Sequence, residues 1–137
     1  MILKSWDNLS KQLIYRANVV DKFGTLLSTD TGQINELKNA SSLLKHKLNN
    51  STKLDSLFIR DIKKQDKNVV NLLSRILTSR IKLMEIDSIL KTNTANRNLQ
   101  AYLEIAEVRV SNAQKAYNKV CESAGRKDLF YGEKPKE

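Results

Sequence analysis

The sequence predicts an all-α fold, an antiparallel bundle of three to four long helices. Three observations carry this. Apolar residues recur at alternating spacings of three and four over two long stretches, the period of a helix stripe that faces other helices. One Pro, at position 135, and four Gly in 137 residues are too little turn punctuation for a β-sandwich or barrel. A hydrophobic content of 40% supplies one modest core, at a size where roughly two-thirds of the unfolded surface is buried.

The first helix is predicted over about residues 3–27. Trp6, Leu9, Leu13, Val20, Phe23 and Leu27 follow a heptad seam, with Arg16 filling the slot between Leu13 and Val20. The run Ser28-Thr29-Asp30-Thr31-Gly32 ends it, because short polar side chains there bond the local backbone in competition with the helix. Asp30 followed by Gln33 is a variant capping box for a second helix over 33–48, with Ile34, Leu37, Leu44 and Leu48 inward. Asn49-Asn50-Ser51-Thr52 reads as a loop. An unbroken helix over 53–90 would be about 57 Å long, against about 38 Å for the first helix. A bundle matches its helix lengths. A break at Gln65-Asp66-Lys67-Asn68 is therefore expected, dividing a short helix (53–65) from a third main helix (about 68–90). Val70, Leu73, Leu77, Ile81 and Met84 form its stripe. Thr92-Asn93-Thr94 caps the last helix, whose seam is Leu99, Leu103, Ala106, Val110, Ala113, Tyr117 and Val120. Gly125 is expected to close it in a left-handed conformation. Residues 1–125 then form the bundle and 126–137 a C-terminal tail.

The net charge of +9 is unevenly placed. Residues 38–53 hold Lys38, Lys45, Lys47 and Lys53 with no acid. Such a face suits phosphate or anionic lipid. It also reads simply as a solvated lysine face. Phosphate recognition favours Arg, and the stretch has neither Arg nor aromatic platforms for stacking bases. Nucleic acid is thus not the expected partner.

The chemistry-bearing residues are few. A single Cys excludes an internal disulfide, and one His with one Cys falls short of the four ligands of a structural zinc site. His46, between Lys45 and Lys47, reads as an exposed imidazole. Cys121 reads as a small, half-buried thiol, since the one His lies 75 residues away on another helix and no base is at hand. Glu104 and Glu107 share a helix face, but a di-metal bundle also needs Glu-x-x-His motifs, and no such pair occurs. The isolated glycines form no phosphate loop. No run of 18 apolar residues spans a membrane. These observations point away from an enzyme and from any cofactor, metal or small-molecule ligand.

Arg16 interrupts an apolar seam, and two readings fit it. It lays its stem on the seam with its head in water, or it is buried against a carboxylate, since isolated burial costs several kcal/mol or more. With the first and last helices antiparallel, Arg16 lies level with about residue 110, by the rise per residue. Glu107 is the expected partner, ahead of Glu104. Tyr117 is expected in the core, and Asn118 bonded to a neighbouring helix or loop.

Several of these residues together resemble a known family. Trp6, Leu9, Gln12-Leu13, Arg16-Ala17 and Val19-Val20 are similar to the opening motif of the LemA family. Glu85, Ile89-Leu90-Lys91, Asn93, Leu99, Leu103, Glu107, Arg109-Val110, Ala113 and Tyr117-Asn118 resemble its second motif without a gap. Leu129-Phe130-Tyr131-Gly132 is similar to its closing aromatic segment. Residues 33–68 match only in helical character. Asp21 and Ser88 stand where the family has Pro, and Gln114 where it has Arg. The resemblance implies an all-helical bundle on the outer side of the bacterial cytoplasmic membrane, with no established activity. It also implies a membrane helix of about 20 apolar residues ahead of the Trp motif.

Two functions follow as expectations. The first is a non-enzymatic module of the bacterial cell envelope that acts through a protein partner not identified by the sequence. The second is a small basic bundle that binds nucleic acid or anionic lipid surfaces through Lys38, Lys45, Lys47 and Lys53.

Overall fold

Residues 2–27, 31–50, 53–81 and 94–132 are described by the structure, a computed structural model. Among them are four helices, α1 (Ile2–Leu27), α2 (Thr31–Asn49), α3 (Ser56–Ile81) and α4 (Thr94–Ser123), followed by a 3-10 turn at Lys127–Leu129. No strand occurs among the described residues. The fold is an all-α helical bundle, as the periodicity predicts.

Side-chain pairs fix the helix directions. Arg16 meets Glu107 and Trp6 meets Tyr117, so α4 runs antiparallel to α1. Trp6 meets Phe58 and Arg16 meets Asp66, so α3 runs parallel to α1. Lys45 donates to Asn18 while Leu37 packs at Gly24, and Lys47 donates to Asp61 while Gln65 donates to the carbonyl of Ala40, so α2 runs antiparallel to both. The chain therefore passes up, down, up and down.

α1 is the central helix, packed against each of the other three, most extensively against α4. Its seam residues Leu9, Leu13, Val20 and Phe23 are buried. Neighbours on three sides widen the buried stripe beyond a heptad seam, so that Ala17 and Val19 are buried too. At Gly24 the approach of α2 is close. A Cβ there would run into Cδ2 of Leu37, a wholly buried side chain.

α2 buries Leu37, Leu44 and Leu48 as expected, with Ile34 half-buried at the rim. α4 buries Ala106, Val110, Ala113 and Tyr117, and packs Leu103 against the core. Val120 is half-buried, and its neighbour Cys121 takes the interior position. Cys121 is thus fully buried rather than half-buried.

The third segment departs from expectation. α3 is one helix through Gln65-Asp66-Lys67-Asn68, with no break. The polar run is a helix face, and its acid, Asp66, is turned inward. α1 and α3 match at 26 residues each, whereas α2 has 19 and α4 has 30, so equal lengths are not a rule of this bundle. The inward stripe is Ile59, Ile62, Asp66, Val69, Leu73 and Ile76. Val69 takes the place expected for Val70, which is half-buried. The side chains of Leu77 and Ile81, and residue Met84, lie outside the described residues. So do those of Leu27 and Leu99 and the expected caps Asp30 and Thr92-Asn93.

The helix ends are built by local hydrogen bonds. Asp55 caps α3, its Oδ1 accepting the N–H of Phe58 at 2.8 Å. α4 ends in a Schellman arrangement. Arg126 N–H donates to Cys121 O at 2.8 Å and Gly125 N–H to Glu122 O at 3.0 Å. Gly125 has φ +70°, the left-handed conformation that a Cβ disfavours. No other atom lies within 4 Å of a Cβ built there, so the cost of a side chain is purely one of backbone conformation. Gly125→Ala should therefore lose about 1–2 kcal/mol of stability. Gly125→Asn should lose less, because Asn tolerates this conformation. Urea denaturation of the three proteins checks the order.

Candidate functional site

The seam of α1 carries a charge into the interior. The Arg16 side chain is only 10% exposed. Its Nη2 donates to Oδ2 of Asp66 on α3, whose side chain is 12% exposed. Its Nη1 donates to Oε2 of Glu107 on α4 at 3.1 Å. Arg16 is thus buried and paired, its stem and head both taken into the bundle rather than laid along its surface. Burial alone would lower its pKa. The charge and hydrogen bond of Asp66, then the charge of Glu107, outweigh burial and hold it above its ordinary value.

Tyr131 completes this network from the C-terminal segment, its hydroxyl donating to Asp66 Oδ2 at 2.9 Å. Burial pushes the Tyr131 hydroxyl up, and the negative charge of Asp66 pushes it further. It remains a donor throughout the neutral range.

Residues 126–132 fold back onto the bundle, with Leu129, Phe130 and Tyr131 buried. Two side chains of α4 hold them. Tyr117 donates its hydroxyl to Leu129 O at 2.7 Å. Asn118 pairs with the backbone of Tyr131 in both directions. Its Nδ2 donates to Tyr131 O at 2.8 Å, and its Oδ1 accepts Tyr131 N–H at 2.9 Å. A side-chain amide thus replaces the strand partner that this extended backbone lacks. Trp6 fills the space beside this clamp. Its ring lies 5.7 Å from Phe58, 5.4 Å from Tyr117 and 6.1 Å from Tyr131 between centroids, the first two edge-to-face.

Five residues singled out by sequence therefore belong to one connected network on two levels, Trp6, Tyr117 and Asn118 at one and Arg16 and Glu107 at the other, bridged by Tyr131. Glu104 is exposed and takes no part in the Arg16 network. Arg109, one turn of α4 away, stacks over Tyr15 at 5.2 Å. Sequence reading misses Asp66 altogether, and it finds Tyr131 only as part of the closing aromatic segment, not as a member of the Arg16 network. Asp66 is hidden in a run that resembles a helix break, and Tyr131 in a segment too short for periodicity.

The four lysines do not act as one free face. Lys47 is paired with Asp61 at 3.0 Å, and Lys45 donates to Asn18 at 2.8 Å. Lys38 and Lys53 are exposed. His46 is exposed, and Asn50 Nδ2 lies 2.9 Å from both its Nδ1 and its carbonyl oxygen. Burial pushes the Cys121 thiol up, away from a reactive thiolate. Among the described residues no group of three or more His, Cys, Asp or Glu is placed to hold a metal ion. No described helix is long and apolar enough to cross a membrane.

The comparisons add no relative: no protein-family model, curated protein or solved structure matches the chain. What the network can do follows from its geometry alone. Its donors and acceptors face one another across three helices and the C-terminal segment, so its chemistry is that of a fastening.

Removing one partner of a buried pair costs about 3–5 kcal/mol, whereas an exposed pair is worth about 0–1 kcal/mol. Arg16→Ala and Asp66→Ala should each fall in the higher range. Glu107→Ala, at a carboxylate 49% exposed, and Lys45→Ala should fall in the lower one. The Arg16→Ala/Asp66→Ala double variant should lose less than the two singles added, because neither charge is left alone. Chemical denaturation of the five variants checks this, and equal losses for Arg16→Ala and Lys45→Ala would show the burial to be inconsequential.

The tyrosines set an alkaline limit. Burial raises the hydroxyl pKa of Tyr117 and Tyr131 above the ordinary value of about 10. A group raised in the folded state contributes stability that is full below its unfolded pKa and lost as pH rises above it. Stability should thus decline above about pH 10, and Tyr131→Phe should flatten that decline even though it is less stable at pH 7. Thermal melts between pH 7 and pH 11.5, roughly the span of this transition, test the slope.

Proposed function

We propose that this chain is the bundle domain of a LemA-like protein, a non-enzymatic module of the bacterial cell envelope that works through protein partners. One observation carries the reading. The residues by which the chain resembles that family come from three separate stretches, and they are joined in one network that is largely buried, with Glu107 at its rim. Trp6 and Arg16 belong to the first motif, Glu107, Tyr117 and Asn118 to the second, and Leu129-Phe130-Tyr131 to the closing segment. A shared need to fasten the same bundle gives a physical reason for such a set of residues. A shared reaction would instead call for reactive groups open to a substrate.

The outer side of α4 supports action through a partner. Tyr102, Ile105 and Val108 recur there at spacings of three and are 49%, 43% and 59% exposed. In the family's arrangement a membrane helix leads into the Trp motif, so the bundle would stand on the outer face of the membrane with α1 as its stem.

Expression of the native gene from its own locus, with a C-terminal tag, tests this. The tagged protein should sediment with membranes, resist a carbonate wash and be cut by protease added to spheroplasts. Recovery in the soluble cytoplasmic fraction would overturn the reading.

A further inference from the structure

Residues 60–67 of α3 carry four basic side chains, Arg60, Lys63, Lys64 and Lys67, and two acids, Asp61 and Asp66. In sequence the run looks nearly balanced. In the fold it is not, because other helices take both acids. Asp66 turns inward to Arg16 and Tyr131, and Asp61 pairs with Lys47 of α2. The four cations remain exposed.

These cations border a groove of about 620 Å³ between α3 and the C-terminal segment. Lys127 and Asp128 line its other side, and the buried Ile59 and Phe130 lie beneath. Asp128 is the one acid among these lining residues, and its charge is offset by Arg126, which donates to both of its oxygens at 3.1 and 3.0 Å and holds its carboxyl below the usual range. A concave surface with a large excess of one sign of charge concentrates that charge's field.

The same end of the bundle exposes apolar side chains. Leu57 lies on the stripe of Arg60, Lys64 and Lys67, at spacings of three and four, and is 70% exposed. Leu3 is 69% exposed at the start of α1. Since α1 and α3 run parallel, both leucines stand at the same end of the bundle, and Leu57 shares its helix face with the cations.

We infer that this end of the bundle is a peripheral binding surface for anionic lipid headgroups. The basic residues of α3 and the groove contact headgroup phosphates, and Leu57 and Leu3 enter the acyl boundary. Exposed leucines among lysines fit a bilayer surface, which offers both a negative potential and an apolar layer. Nucleic acid would reward exposed aromatic platforms and arginine, whereas four of the five cations are lysine and the aromatic Phe130 is buried. The inference does not depend on a membrane anchor, since the surface belongs to the bundle itself.

The 137-residue chain can be sedimented with phosphatidylglycerol–phosphatidylcholine vesicles and with phosphatidylcholine vesicles alone. Binding should require phosphatidylglycerol and weaken with salt. Each cation near an anionic surface contributes about fivefold in affinity. The variant Arg60→Gln/Lys63→Gln/Lys64→Gln/Lys67→Gln should thus bind about a hundredfold or more weakly, with its helical circular dichroism retained. Lys22→Gln/Lys38→Gln, at the opposite end, should change binding about fivefold or less, and Leu57→Ser should weaken the binding that persists at high salt. Equal binding to both vesicles, no sedimentation at low salt, or an unchanged quadruple variant would each overturn the inference. So would tighter binding to DNA than to vesicles at the same ionic strength. Failure here leaves the fractionation result for the native gene unaffected, so the two readings are separable.

Discussion

The fold depends on one charge in the wrong solvent. Arg16 stands in the seam of α1, where every turn above and below it is apolar. An unpaired guanidinium at such a depth would cost several kcal/mol, more than a small bundle has to spare. The helices must therefore assemble so that carboxylates reach it. Asp66 reaches it from α3 and Glu107 from α4, and each does so at one register only. Apolar stripes alone leave helices free to slide by a turn with modest loss. A buried pair penalises that slide by stranding a charge on each side. We read the pair as a device of specificity more than of net stability, since a well-packed apolar replacement is often as stable.

The C-terminal segment is bound by the same logic. Asp66 accepts from both Arg16 and Tyr131, so the hydroxyl that satisfies the carboxylate also brings the segment down onto the bundle. Asn118 and Tyr117 then hold the backbone carbonyls and amide that the chain exposes after Gly125 turns it back. Trp6 closes this end by covering Phe58, Tyr117 and Tyr131 at once. Four parts of the chain, α1, α3, α4 and the C-terminal segment, meet there.

How much of this was legible in the sequence depends on which signal each residue gives. The seams of α1 and α4 are long and strict, so their helices, their contact and the level of Glu107 opposite Arg16 follow from spacing and rise per residue. Arg16 announces itself by breaking a pattern. Asp66 breaks nothing, because it sits among Gln65, Lys67 and Asn68, and a polar run reads as a linker until its partner is known. Val69 displaces Val70 for a related reason. Both are valines, and the inward face of α3 is fixed by Ile59, Ile62 and Asp66, all of which lie ahead of the third helix as the sequence is read. The cationic surface was hidden by counting, since Asp61 and Asp66 offset the cations in composition but face other helices in space.

The buried network and the outer surface are consequently two sides of one arrangement. Turning Asp66 inward satisfies Arg16, and it also removes a negative charge from the face that carries Lys63, Lys64 and Lys67. Docking Tyr131 satisfies Asp66, and it also sets Phe130 beneath the groove and Gly132 where Lys63 Nζ donates to its carbonyl at 3.1 Å. The wall of the groove is therefore in place only when the interior charges are paired. A bundle that slipped by one turn would lose both the match for Arg16 and the wall that Phe130 and Gly132 set beside the cations. Selection for a sharply positive surface at this end would then act on the interior pair as well, and the apparent extravagance of burying an arginine has a second physical reason.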